Sequence, residues 1–303
     1  MENNTHYHIP VMLQECMLGL NIQDNGIYVD VTFGGGGHAK EIFSRISSTG
    51  QLIAFDQDED AYANRWEASN FNFIRSNFRF LENHLAMLGI KGVDGILADL
   101  GVSSHQFDVP ERGFSLREDA ALDMRMNKNS SLTAAHVLND TSENDLYKLF
   151  RSYSDIQNPG KLIQNILHFR MDNPFISTGD LVKVASLSAP RNKENKYLAQ
   201  VFQAVRIEVN QELDALKDLL EQTARVLNPG GRLVVMSYHS LEDRLVKNFV
   251  KRGSFSGEIE KDFFGNILKP FEEITRHPLV ASEEELIENP RSRSAKLRIA
   301  EKK

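Results

Sequence analysis

The feature that most constrains the fold is a run of four glycines, Gly34 to Gly37, in the stretch DVTFGGGGHA. The run follows an apolar segment that begins at Ile27, and it precedes KEIFSRI, which has the pattern of a helix. Strand, glycine turn and helix form the geometry in which backbone N–H groups meet a cofactor at the carboxyl end of a sheet. A tight turn without a ligand is the alternative, but consecutive glycines lower the backbone entropy on folding and a plain turn rarely requires them. The stretch therefore predicts a cofactor site.

The spacing after the turn leaves two cofactors open. Gly34, Gly36 and Ala39 fit the pattern G-x-G-x-x-A. Asp56 follows Gly36 by twenty residues, where a dinucleotide fold places its ribose-binding carboxylate. NAD and S-adenosylmethionine both present an adenosine ribose to such an acid. A helix cap for the segment EDAYANRW is the alternative role for Asp56.

Apolar runs alternate with helical patterns, which is typical of a parallel sheet with crossover helices. Residues from about 105 to 210 carry mainly helix signals, and one long helical pattern from Val201 to Leu227 ends at Asn-Pro-Gly-Gly. We predict an α/β domain of residues 1–104 and 211–303, interrupted by a helical insertion of residues 105–210. The predicted strands are 27–33, 51–56, 71–74, 94–99, 232–238 and 295–301.

Composition narrows the class of protein. The first ten residues are polar, and no run approaches the roughly 20 apolar residues of a membrane span, so we expect a cytoplasmic protein with no membrane partner. The single cysteine, Cys16, excludes an internal disulfide framework and a multi-cysteine metal site. We expect Cys16 to be a buried thiol on a short helix. No metal is expected at His38 either, since no second ligand stands at a matching spacing.

The charge distribution bears on nucleic-acid binding. A formal net charge of -7 argues weakly against a nucleic-acid partner. The tail from Asn289 to Lys303 is nevertheless basic, with a single acid at Glu301; a solvated face is the alternative to a phosphate-binding role. Its basic residues are Arg291, Arg293, Lys296, Arg298, Lys302 and Lys303.

Several long blocks carry a more specific signal than the glycine pattern. In chain order they are HIPVML, YVDVTFGGGGHA, DLGVSSHQFDVPERGFSLREDAALDMRM, FQAVRIEVNQEL, PGGRLVVMSYHSLEDRLVK and NPRSRSAKLRIAE. The sequence from His8 to Glu301 thereby resembles the bacterial MraW or RsmH family of S-adenosylmethionine-dependent ribosomal RNA cytosine-N4 methyltransferases.

The resemblance implies a class I methyltransferase fold, a Rossmann-like sheet with an inserted helical domain that contributes to substrate binding. It implies methylation of the exocyclic N4 of one cytosine in small-subunit (16S) ribosomal RNA near the decoding site. The substrate is either this RNA within a ribosomal subunit or the free RNA. The resemblance leaves a homodimer open. The cofactor S-adenosyl-L-methionine would contact Gly36, Gly37, His38, Asp56, Phe78, Asp99 and Gln106.

Two stretches of the insertion depart from the family's usual pattern. Lys196 to Gln200 stands where the family commonly shows His-Pro-Ala-Thr-Arg, and Ser154 to Ile156 replaces Gly-Glu-Glu. Both departures concern RNA contacts and leave the expected cofactor site unchanged.

Two residues are expected to serve the chemistry. Asp99 ends the fourth strand and can accept hydrogen bonds from the amine and help remove its proton; orienting the cofactor is the alternative. His239 is expected to form a wall of the base pocket. Ser240 and Asp243 have the spacing of a capping box, which explains the His-Ser pair without a hydrolase.

Further side chains have two interpretations each. Phe78 can pack against adenine or belong to the core, and His38 can act through its backbone amide alone. Asp123 and Arg125 form either an ion pair that orders the insertion or a contact with the flipped nucleotide. Phosphate contacts are expected from Arg291, Arg293 and Arg298; for Arg298, a position on the buried side of the last strand is the alternative. An NAD-dependent oxidoreductase and a non-catalytic RNA-binding assembly factor are the competing functions.

Overall fold

The computed structural model describes residues 10–303 and divides into two compact units. The first unit comprises the chain up to Gly101 together with Leu213–Lys303, and the second comprises Val102–Glu212. His8 and Ile9 of the HIPVML block lie outside the described residues. None of the described helices combines the length and the apolar character that a membrane span needs.

A seven-stranded sheet organises the first unit, in the order β3-β2-β1-β4-β5-β7-β6. Strands β1 to β5 run parallel to one another, whereas β7 is antiparallel to both β5 and β6. The predicted α/β architecture with a mainly parallel sheet is confirmed. The strands are β1 (Ile27–Asp30), β2 (Gln51–Asp56), β3 (Phe71–Arg75), β4 (Val93–Asp99), β5 (Leu227–Ser237), β6 (Phe271–Glu273) and β7 (Lys296–Lys302).

Twelve α-helices accompany the strands in the described chain; α4 to α9 belong to the second unit. They are α1 (Leu13–Leu20), α2 (Gly37–Arg45), α3 (Leu81–Met87), α4 (Ser104–Asp108), α5 (Ala134–Asp140), α6 (Glu143–Tyr153), α7 (Gly160–Asp172), α8 (Thr178–Ser186), α9 (Glu194–Asn210), α10 (Glu212–Val226), α11 (Ser240–Arg252) and α12 (Glu283–Glu288).

Both faces of the sheet are buried, which explains why its strands are near-continuous apolar runs. In β2, Ile53 and Phe55 join one core cluster, whereas Leu52 and Ala54 join the cluster on the opposite face. Cys16 on α1 is fully buried in that second cluster, as predicted. Burial raises the pKa of its thiol, so the side chain is an inert core group.

The second unit is helical and has its own core. The Ser142 hydroxyl accepts the Asp145 N–H and begins α6, and Pro159 precedes the first residue of α7. The unusual residues Ser154 and Ile156 are both buried, as are Tyr197 and Leu198 in the other departing stretch. These departures from the family pattern therefore contribute to the core of the helical unit.

The structure differs from the predicted elements in several places. Strand β6 (Phe271–Glu273) was not predicted, and β5 begins at Leu227, before the predicted start at residue 232. The long helix expected from Val201 to Leu227 is interrupted at Gln211, whose left-handed backbone (φ 50°) separates α9 from α10. No glycine or proline marks this break. Strand β1 ends at Asp30, three residues earlier than predicted, although the Val31 and Phe33 N–H groups still donate to the Leu97 and Phe55 carbonyl oxygens.

Candidate active site

Two positions of the glycine turn after β1 leave no room for a Cβ atom. Gly36 has a left-handed backbone (φ 75°), and a Cβ there would lie 2.8 Å from the Phe33 ring. A Cβ on Gly37 would lie 2.3 Å from Pro10. At Gly35, by contrast, a Cβ would meet nothing within 4 Å. The turn is therefore packed against the protein at Gly36 and Gly37 and open at Gly35. Its exposed backbone lies at the N-terminus of α2.

Asp56 at the end of β2 is tied directly to this turn. Its Oδ2 accepts the Gly34 N–H at 2.8 Å and its Oδ1 accepts the Asp58 N–H at 2.8 Å. The backbone N–H of Gln57 is a further donor to this carboxylate, which has about four lone-pair sites, so a site remains for a ligand hydroxyl. The cap of the following 3-10 helix is Asp58, which accepts the Asp60 N–H at 3.1 Å, so the alternative role of Asp56 as a helix cap is wrong.

Phe78 lies just beyond β3, where a 3-10 turn begins. It is half-buried and packs against the core cluster that contains Phe55. Asn77 donates to the Gln57 side chain at 2.9 Å, which links this turn to the residue after Asp56. The side chain of Phe78 therefore belongs partly to the core and retains an accessible part beside the end of β2.

Three neighbouring parallel strands end in an aspartate: β2 in Asp56, β1 in Asp30 and β4 in Asp99. Strand order reverses between β1 and β4, which is where open α/β sheets bind their ligands. Asp30 is buried, and within the part of the chain that the structure describes its Oδ2 has no hydrogen-bond partner. Sequence reasoning missed Asp30, because the predicted strand of residues 27–33 placed it inside the strand and not at its end.

Asp99 is held on three sides. Its N–H donates to Thr32 Oγ1 at 2.6 Å, and its Oδ1 accepts the Tyr238 hydroxyl at 2.8 Å. Its Oδ2 lies 3.8 Å from His38 Nδ1, and the Asp99 side chain remains 25% exposed. Tyr238 and Thr32 were also missed by sequence reasoning, since both contacts depend on how the strands align.

The ring of His38 has a defined hydrogen-bonding pattern. Its Nε2 lies 3.0 Å from the Val11 carbonyl oxygen, which can only accept, so Nε2 carries a hydrogen. Burial lowers the pKa of His38, with the nearby Asp30 carboxylate opposing this effect. The neutral ring therefore turns the lone pair of Nδ1 toward Asp99, and His38 offers a side chain as well as a backbone amide.

Burial also changes the acidity of the three aspartates. It raises the pKa of Asp99 to about 7, and the hydrogen bond from Tyr238 opposes the change. It raises the pKa of Asp30 and that of Asp56 to about 6 in each case. Carboxyl groups that titrate near neutrality in a cleft are candidates for proton transfer.

His239 serves as the N-cap of α11. Its Nδ1 accepts the Glu242 N–H at 3.4 Å, while Glu242 Oε2 accepts the His239 N–H at 3.3 Å. The capping box expected at Ser240 and Asp243 is wrong by one residue, because Ser240 is already helical. The contact of His239 with a bound base stays a prediction.

Gln106 belongs to the second unit, where it is buried. Its Oε1 accepts the Ser103 N–H at 3.0 Å, and the Ser103 hydroxyl accepts the Gln106 N–H at 3.3 Å. The pair forms the capping box of α4. The contact of Gln106 with a cofactor stays a prediction, whereas the other predicted cofactor residues meet at the carboxyl edge of the sheet in the first unit.

The candidate RNA contacts separate into two groups. Asp123 and Arg125 form an ion pair at 2.7 Å, and Arg125 also donates to the Lys128 and Ser130 carbonyl oxygens. Arg298 is buried in β7 and pairs with Asp243 at 2.7 Å, so its expected phosphate contact is wrong. The Arg298 side chain lies on the face of β7 where Asp243 of α11 contacts it.

The basic tail retains two candidates. Arg291 and Arg293 are exposed on a 3-10 turn (Pro290–Ser294) that immediately precedes β7. A solvated face and a phosphate-binding surface both fit this exposure.

The sheet order with a reversed β7 between β5 and β6, the glycine turn after β1 and the carboxylate that ends β2 define a class I methyltransferase. The chain belongs to the MraW methylase family, whose model matches residues 5–303. This membership decides against the oxidoreductase that the glycine spacing had left open.

Curated relatives match along their whole length. A protein of Phocaeicola vulgatus is 54% identical over 297 residues, covering 98% of each chain. A protein of Flavobacterium johnsoniae is 54% identical over 302 residues, covering 100% of each, and one of Cytophaga hutchinsonii is 53% identical over 298 residues, covering 98% of this chain and 99% of the relative. All three relatives are named ribosomal RNA small subunit methyltransferase H.

Proposed function

We propose that the protein transfers a methyl group from S-adenosylmethionine to the exocyclic N4 of a cytosine in small-subunit ribosomal RNA, near the decoding site. Membership of the MraW methylase family and the names of the full-length relatives support the substrate class. The observation that carries the proposal is the row of aspartates at the ends of β2, β1 and β4, beside the glycine turn. The reaction would take place in the cytoplasm, where a ribosomal substrate is available.

The residues present fit S-adenosylmethionine. At Gly35 the turn is open, so a ligand can reach the backbone there, and the Asp56 carboxylate can accept a hydrogen bond from a ribose hydroxyl. The accessible part of Phe78 offers an apolar surface for adenine. When bound, the sulfonium group would supply an already activated methyl group.

Asp99 is the proposed proton acceptor. A cytosine amine is a poor nucleophile, because its lone pair is delocalised into the ring. A carboxylate that accepts its N–H groups orients the lone pair and takes up the proton as the new bond forms. With a pKa of about 7, Asp99 is suited to this exchange near neutral pH. Alignment of donor and acceptor would supply much of the remaining acceleration.

RNA binding is assigned to surfaces outside this edge of the sheet. The exposed Arg291 and Arg293 are proposed to contact phosphates that flank the target base, and the helical unit is proposed to contribute to substrate binding. The target cytosine must leave its stack to reach the active site.

The test combines cofactor binding with transfer. Equilibrium dialysis should show binding of labelled S-adenosylmethionine and no comparable binding of NAD. Label should then pass to small ribosomal subunits that lack the modification, and Asp99→Ala should abolish transfer while RNA binding persists. Cofactor binding without transfer, on free RNA as well as on subunits, would instead support the non-catalytic assembly factor.

A further inference from the structure

We propose that Tyr238 is a positioning residue for Asp99: its hydroxyl holds Oδ1, so that the proton exchanged with substrate is carried by Oδ2, which faces His38. The inference rests on the proposed methyl transfer and deepens it by naming which oxygen reacts and which two side chains prepare that oxygen.

Tyr238 is itself fixed at both ends. It directly follows β5, and its N–H donates to Glu242 Oε2 at 2.9 Å, while its ring packs against the core cluster that contains Met236. Asp99 pairs with Met236 in the β4–β5 register, so Tyr238, two residues after Met236, lies close enough for its hydroxyl to reach the Asp99 carboxylate. The 2.8 Å contact between the Tyr238 hydroxyl and Asp99 Oδ1 therefore follows from strand pairing.

The direction of this hydrogen bond is determined by the chemistry of both groups. Burial and the Asp99 charge raise the pKa of Tyr238, so the phenol keeps its hydrogen and donates it. A carboxylate oxygen that accepts a strong donor is the less basic of the two. The exchangeable proton is thus directed to Oδ2.

His38 completes the arrangement on the other side. With a hydrogen on Nε2 held by the Val11 carbonyl, Nδ1 carries a lone pair and lies 3.8 Å from Asp99 Oδ2, which is longer than a hydrogen bond. In the reaction, the bond from sulfur to methyl breaks as the bond from nitrogen to methyl forms. One N–H bond then breaks and one O–H bond forms on Oδ2. The positive charge of the sulfonium is carried away by this proton. Nδ1 of His38 can accept the new O–H once the two side chains approach to hydrogen-bond distance.

Titratable groups from several elements lie around Asp99. They are His38 on α2, Cys16 on α1, Asp30 at the end of β1, Tyr238 after β5 and Glu242 on α11. Of these groups, Tyr238 provides the hydrogen bond that lowers the pKa of Asp99.

The first test replaces Tyr238 with phenylalanine. Loss of the donor should raise the pKa of Asp99, so the acid limb of the kcat profile should move to higher pH by about half to one unit. At pH 7, kcat should fall about two- to sixfold, as the ionised fraction of Asp99 falls, while the Kd of S-adenosylmethionine changes less than about threefold. Tyr28→Phe is the matched control, since it removes another buried hydroxyl, which accepts the Gln23 N–H at 2.6 Å. Its acid limb should stay in place.

A direct titration of the Asp99 carboxyl group tests the proposal without measuring catalysis. Carboxyl ¹³C shifts of labelled aspartate should show a higher pKa for Asp99 in Tyr238→Phe, and 3-fluorotyrosine at position 238, a stronger donor, should lower it. Both results are expected even if the RNA substrate is wrongly assigned. An unchanged Asp99 titration in both variants, or loss of activity with an unmoved acid limb, would overturn the proposal.

The role of His38 is tested with His38→Gln, whose amide nitrogen can replace Nε2 toward Val11 but leaves no counterpart of Nδ1. We expect retained cofactor binding and a kcat lowered by about tenfold. Imidazole ¹⁵N shifts of the wild type at pH 8 should show hydrogen on Nε2 and none on Nδ1. Hydrogen on Nδ1 in the neutral ring would contradict the assigned acceptor.

Discussion

The backbone N–H of Gly34 donates to Oδ2 of Asp56 across 2.8 Å, so the turn after β1 and the carboxylate that ends β2 form one structural unit. The hydrogen bond orients the carboxylate and closes the turn at the same time. A ligand that uses both features will therefore find them already in position, and less free energy is lost in ordering them on binding.

Asp56→Ala should weaken S-adenosylmethionine binding by about ten- to a hundredfold, because hydrogen bonds to a charged group are lost. Isothermal titration calorimetry measures the effect. Asp94→Ala is the control: Asp94 also accepts a backbone N–H, from Ile27 at 2.9 Å, but at the beginning of β4. Equal losses of cofactor affinity in both variants would show that Asp56 acts only through stability.

Gly36→Ala should destabilise the fold, because the left-handed backbone and the Phe33 ring leave no place for a methyl group. The expected loss is about 1 to 3 kcal/mol in urea denaturation. Gly35→Ala should leave stability nearly unchanged, since its Cβ meets open space, and should nevertheless reduce cofactor affinity. Full cofactor affinity in Gly35→Ala would mean that the open side of the turn does not face the ligand.

Arg298→Met should lower the free energy of unfolding by on the order of 3 kcal/mol, because Asp243 loses its partner in a buried setting. Lys296 remains 3.9 Å from that carboxylate and will offset part of the loss. Chemical denaturation measures the change.

The contrasting variant is Arg291→Ala with Arg293→Ala. It should leave stability unchanged, weaken RNA binding and reduce the salt dependence of the affinity by about one unit of slope per lost phosphate contact. If RNA affinity fell only in the Arg298 variant, the phosphate-binding role would belong to Arg298 and not to Arg291 and Arg293.

The pH dependence of stability should carry the signature of the buried aspartates. The pKa of Asp99 is about 7 in the folded protein, above the ordinary value of 3.8. Because the folded state holds this proton more tightly than the unfolded chain, the associated stabilisation is complete below about pH 4 and is lost as the pH rises to 7. Asp99→Asn, which cannot titrate, should therefore gain stability relative to the wild type between pH 4 and pH 7, by a few kcal/mol at most. Urea denaturation across this range measures the difference, and parallel curves would contradict it.

The sequence predicts those parts of the fold that depend on local patterning. The apolar runs that end in Asp56 and Asp99 identify two strands and two site residues, since a strand buried on both faces is a continuous apolar segment. The break at Gln211 was not predictable from its residue type, because neither glycine nor proline occurs there. The role of Tyr238 could not be predicted for another reason: its contact with Asp99 exists only once β4 and β5 pair.

The measurement that tests the central claim most directly is the mass spectrometric identification of the methylated nucleoside. Small ribosomal subunits that lack the modification are incubated with the protein and labelled S-adenosylmethionine, and the RNA is digested to nucleosides. The account predicts label in N4-methylcytidine, and in no other nucleoside. Label in a different nucleoside would contradict the assignment of the acceptor, and the absence of label from a protein that binds the cofactor and the subunit would contradict the catalytic role of Asp99.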